Sequence, residues 1–110
     1  MKGQSAALQI LEEIKMLKLA QYLVEKLLPE DYELNMQRLD VITGKIQKLR
    51  KVYYYTLKVG MDEIRTDLEN ALNDLKNYND GIDRQVTDLA QINQMLKLVA
   101  QVIFVAFGLG

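Results

Sequence analysis

Asn77-Tyr78-Asn79-Asp80-Gly81 gathers turn-forming residues in the middle of the chain's second half. Asn and Asp side chains bond back to their own backbone, and Gly accepts conformations closed to other residues, so such a cluster ordinarily ends a helix. Yet the apolar pattern crosses it without losing phase. Ile64, Leu68, Ala71, Leu75, Tyr78, Ile82, Gln85, Leu89, Ile92, Leu96, Val99, Ile103 and Ala106 follow alternating steps of four and three, and only Gln85 is polar. Asn79, Asp80 and Gly81 fall off this seam, where solvent is expected. A phase held over so many turns is a coiled-coil signal. It favours one helix over about 62–107, and with it an all-α antiparallel bundle or coiled coil of three long helices. The alternative is a turn near Asp80, which would close the chain into a four-helix up-down bundle.

Upstream, Lys58-Val59-Gly60-Met61-Asp62 reads as the fold of an antiparallel helix pair running roughly from Gln37 to Lys76. Val41 to Met61 carries the cations Lys45, Lys48, Arg50, Lys51 and Lys58 and no acid. Asp62 to Asp88 carries eight acids against Arg65, Lys76 and Arg84. Folding back at Gly60 would set Lys51 near Glu69, Lys45 near Asp74 and Lys58 near Asp62. The helix macrodipole favours cations at the end of one helix and acids at the start of the next.

The first helix is expected over about 5–28, after a loose Met1 to Gln4, with Ser5 as its N-cap. Ile10, Ile14, Leu17, Val24 and Leu28 form one seam, broken by Gln21. Leu8, Leu11, Leu19, Leu23 and Leu27 widen it, so this helix should touch two neighbours. Pro29 suits the first position of a second helix over about 29–59, with Tyr32, Leu39, Ile42, Ile46, Leu49, Tyr53 and Thr56 on its seam. The 110 residues make a single helical domain, 1–110.

The chain has no Cys and no His. That removes disulfides, zinc-thiolate sites, Cys nucleophiles, the Ser-His-Asp triad and the helical di-iron motif. Glu12-Glu13, Glu30-Asp31 and Asp62-Glu63 are neighbours in sequence, hence on different sides of a helix, and mark no metal site. No cofactor and no enzyme activity are expected. A net charge of −1 gives no reason for nucleic acid as partner. Tyr53-Tyr54-Tyr55 among the cations could stack on bases, but the answering acids of the next helix explain those cations better. The N-terminus shows no signal-peptide pattern, which leaves the compartment open with the cytoplasm favoured.

The segment Met95 to Leu109 is the most apolar in the chain, and an overhanging helix of that kind needs a cover. Leu96, Val99, Val102, Ile103, Phe104 and Phe107 are its candidate interaction surface. Tyr54 and Tyr55 are candidate rim contacts, where a phenol can stay half wet. Gln21 and Gln85 are candidate register-setting polars on apolar seams. The expected function is self-assembly, or scaffolding of another helical protein, through this surface. The alternative is a membrane-active protein that inserts the same segment.

Overall fold

A computed structural model describes residues 1–108. It is all-α, with four helices packed together: α1 (Gly3–Leu27), α2 (Tyr32–Val59), α3 (Thr66–Gly81) and α4 (Leu89–Phe107). The body measures 47 × 25 × 17 Å. Leu109, at the end of the predicted apolar run, lies outside the described residues.

α1 packs on α2 and α3, and α4 packs on α2 and α3, so α2 and α3 lie diagonally opposite. The expected α2–α3 hairpin is therefore replaced by two others, α1 with α2 and α3 with α4. The facing charge blocks do not meet: among the described residues no ion pair joins α2 to α3. The balance of magnitudes accounts for this. An exposed ion pair is worth about 0.2–1 kcal/mol, whereas a fully buried Val, Leu or Ile contributes roughly 1.5–3 kcal/mol. α4 buries Ile92, Met95, Val99, Val102 and Ile103, and takes the place beside α2 that the acids would have held.

The diagonal crossing is made by Gly60 to Arg65, which runs across the start of α1. Gly60 ends α2 at φ +64°, a conformation that favours Gly. The Gly3 and Gln4 amides donate to the Asp62 and Gly60 carbonyls at 2.9 and 2.8 Å, and the Ile64 amide donates to the Met1 carbonyl at 2.9 Å. An isolated bridge pairs Lys2 with Glu63. The first amides of α1 thus find backbone partners in the crossing segment rather than a side-chain cap. This overturns the expectation of a loose start and of Ser5 as N-cap: Lys2 is the N-cap, and Ser5 is exposed inside the first turn. Gly3 is required by closeness. A Cβ there would collide with the Thr56 carbonyl oxygen and sit 2.7 Å from the Val59 Cβ.

Pro29 lies in a single 3-10 turn, Leu28–Glu30, and Asp31 then caps α2 by accepting the Leu34 amide at 3.3 Å. Of the predicted seams, Ile10, Ile14, Leu17, Val24, Ile42, Ile46, Leu49 and Thr56 are buried. Tyr32 is exposed, and the second set on α1 divides: Leu8, Leu11 and Leu19 face solvent while Leu23 and Leu27 are half-buried.

The helix expected to run unbroken over 62–107 is interrupted. Asp83 and Arg84 take φ values of 56° and 53°. The Asp83 amide donates to the Asp80 carbonyl at 3.0 Å, and the Arg84 amide to the Asn79 carbonyl at 2.8 Å. This pair of bonds is a Schellman ending, with Asp83 where Gly is usual. The chain restarts at Asp88, whose carboxylate accepts the Gln91 amide at 2.8 Å while Gln91 Oε1 accepts the Thr87 amide at 2.8 Å. Asp88-Leu89-Ala90-Gln91 is thus close to a capping box. Gly81, the expected breaker, is still helical.

Candidate interaction surface

The interruption brings together a polar cluster that the heptad pattern conceals. Glu13 is fully buried on α1. Its Oε1 accepts from Asn79 Nδ2 and Arg84 Nη1, both at 2.9 Å, and its Oε2 accepts from Gln9 Nε2 at 2.6 Å. Arg84 also donates through Nε to Asp80 at 2.8 Å, and Lys76 donates to the other Asp80 oxygen at 2.7 Å. The Glu13 hydrogen bond holds the Arg84 guanidinium still further towards its charged form. Hydrogen bonds from Lys76 and then Arg84 pull the Asp80 carboxyl below its usual range. Asn79, expected at the solvent, is fully buried because the chain turns beside it and aims its amide at Glu13.

This cluster ties the α3–α4 turn to α1. Its carboxylates are neutralised by bonded cations, and Glu13 has no exposed surface. Among the described residues no group of three or more metal-ligating side chains converges. Glu13 is easily missed when it is considered only beside Glu12. Its step of three from Ile10 places it on the apolar seam, and that is the available signal.

The six residues expected to form the interaction surface divide. Val99, Val102 and Ile103 are fully buried and belong to the core. Leu96 is half-buried, Phe104 is 54% exposed and Phe107 is 40% exposed. Tyr54 is exposed, and Tyr55 meets Phe107 edge-on at a centroid distance of 6.0 Å. Of the polar candidates, Gln21 donates to the Thr43 hydroxyl across α1 and α2 at 3.1 Å. Gln85 sits exposed in the loop before α4 rather than on a helix seam.

Between α2 and α4, which run parallel, lies a shallow groove. Leu34, Gln37, Arg38, Val41, Asn93 and Leu96 line one end, and Lys51, Tyr54, Tyr55, Lys58 and Phe107 line the other, around a cleft of about 320 Å³. Between them Asp40, Val41, Gly44, Lys45 and Lys48 continue the α2 edge. Lys45, Lys48, Lys51 and Lys58 have no carboxylate partner among the described residues. Lys45 is half-buried, and burial together with the charge of Lys48 lowers its pKa. Compared with protein-family models, curated proteins and solved structures, the chain matches none.

Proposed function

We propose that this chain is a non-enzymatic four-helix bundle that works by protein–protein contact, joining copies of itself or scaffolding another helical protein through the α2–α4 face. One observation carries the reading: Phe104 and Phe107 stay 54% and 40% exposed on a helix whose other side supplies core. Beside Phe107, Tyr54 is also exposed, which makes the patch aromatic and rimmed by Lys51 and Lys58. Aromatic anchors of this kind dominate binding energy at protein interfaces. Solution mass and partner binding of the intact protein, compared with Phe104→Ser/Phe107→Ser, test the proposal. A variant that folds normally and keeps every association of the parent refutes it.

A second reading rests on α4 itself, a 19-residue helix with an 18-residue window of mean hydropathy 1.4, long and apolar enough to cross a membrane. In that reading α4 leaves its neighbours and inserts. Flotation with lipid vesicles distinguishes the two, because insertion must be accompanied by loss of the packing around Val99 and Val102.

A further inference from the structure

The face just described presents two features together, an apolar floor and an uncompensated row of positive charge. Val41, Leu96 and Phe107 supply the floor, and the exposed Phe104 stands one helical turn from Phe107 on α4; Lys45, Lys48, Lys51 and Lys58 supply the row along α2. Asp40 is the one acid lining it. Four cations spaced by three to seven residues on one side of a helix repel each other, and among the described residues none of them forms an ion pair. Along α2 the lining residues run from Leu34 to Lys58, roughly 36 Å at 1.5 Å per residue, and along α4 from Asn93 to Phe107, roughly 21 Å. A shallow groove that two parallel helices flank over about 21 Å accommodates a third helix of about four turns.

A second copy of this chain has no suitable element to lay there. The outer side of α3 is acidic, through Asp67 and Asp74, but carries no exposed large apolar residue. The outer side of α1 is apolar, through Leu8, Leu11, Leu19 and Tyr22, but its exposed charges are Lys15, Lys18 and Lys26 against Glu12 and Glu25. Two α2–α4 faces set together would gather eight lysines into one interface against two copies of Asp40. No helix among the described residues carries both a net negative outer face and large exposed apolar side chains.

We infer that the groove between α2 and α4 receives an acidic amphipathic helix of another protein, its apolar side chains set on Val41, Leu96, Phe104 and Phe107 and its carboxylates facing Lys48, Lys51 and Lys58. The inference rests on the reading of this face as a contact surface and names the chemistry of what it contacts. Apolar burial supplies most of the affinity. The lysines select the partner's charge and orient its approach.

The test uses the full chain and two labelled peptides of about four heptads, both with Leu at the a and d positions, one with Glu and one with Lys at e and g. Like charges at e and g keep each peptide from pairing with itself. Fluorescence anisotropy should show saturable binding of the Glu peptide, at least ~10-fold tighter than the Lys peptide at ~0.1 M salt and weakening as salt rises. Lys48→Glu/Lys51→Glu/Lys58→Glu should reverse the preference, and Phe104→Ser/Phe107→Ser should remove binding of both peptides. All five positions are exposed, so these variants keep the core, and their thermal melts verify it. Equal binding of the two peptides, abolished by Phe104→Ser/Phe107→Ser, overturns the inference but leaves the face a contact surface. A defined oligomer that this variant dissolves, with neither peptide bound, likewise overturns it and makes a second copy the occupant. Binding of phosphatidylserine vesicles but not phosphatidylcholine vesicles, lost in Lys48→Glu/Lys51→Glu/Lys58→Glu, with neither peptide bound, overturns it in favour of a membrane. A monomer that binds neither peptide overturns both readings.

Discussion

Arg84 Nη1 donates to Glu13 Oε1 at 2.9 Å, although the two residues stand 71 positions apart. The carboxylate has no exposure, while the guanidinium side chain keeps 30% of its own. The bond ties the turn between α3 and α4 to the middle of α1, and it forms only because the helix ends before Arg84. Turn and ion pair require each other.

Removing one partner should therefore cost more than the exposure of Arg84 suggests. Arg84→Met leaves a buried carboxylate with only amide donors, and we expect a loss of about 2–3 kcal/mol. Glu13→Leu should destabilise as well, by stranding the Asn79 amide. In the double variant the losses should be less than additive, with a coupling of about 1–3 kcal/mol from urea denaturation. Strict additivity would show that the two side chains do not act as a pair.

Asp83 occupies a left-handed position at φ 56° where a side chain is strained. Asp83→Gly should stabilise the fold by about 0.5–1 kcal/mol and raise the melting temperature, because Gly adopts this conformation freely. Gly81→Ala should also stabilise, by up to ~1 kcal/mol, since Gly81 is helical and a Cβ there meets nothing within 4 Å. If Gly81→Ala destabilised instead, the position of the helix end would be in question.

Val102 and Phe104 are two residues apart and should respond oppositely to the same change. Val102 is fully buried and Phe104 is 54% exposed. Val102→Asp buries a carboxylate without a partner and should unfold the chain or cost about 3 kcal/mol or more. Phe104→Asp should shift stability by less than about 1 kcal/mol while weakening association. Circular dichroism melts of the two variants side by side read the contrast directly.

Acid should weaken the turn through Asp80. Its folded carboxyl lies below the ordinary 3.8 because Lys76, and then Arg84, hydrogen-bond the ionised form. A depressed carboxyl stabilises the fold above its unfolded value and loses that stabilisation as pH falls through the folded one. Asp80→Asn should thus be less stable than the parent near neutrality, with the gap closing as pH drops below about 4. A gap that stays constant with pH would exclude the Lys76 and Arg84 contacts as its cause.

The heptad count misleads at the turn for a physical reason. A Schellman ending and a capping box replace a stretch of helix whose residues still fall on alternating steps, so Ile82 and Leu89 are half-buried although the helix is broken between them. The capping residues Asp88 and Gln91 are visible in the sequence, and weighed beside Asn79 and Asp80 they favour the break. The charge blocks mislead differently: they are real, but weak surface pairs do not choose helix neighbours when an apolar helix such as α4 competes for the same face.

The chain by itself determined that it is helical, that Ile10, Ile14, Leu17, Ile42, Ile46, Leu49, Leu68 and Leu75 face inward, and that chemistry needing Cys or His is out of reach. Those are local properties, set by composition and by the 3.6-residue period. Only the tertiary structure decided which helices touch, which side of α4 is core and which is surface, and that Glu13 is buried against Arg84. Each of these depends on contacts between residues far apart in sequence, whose energies must be compared across the whole molecule rather than read along one helix.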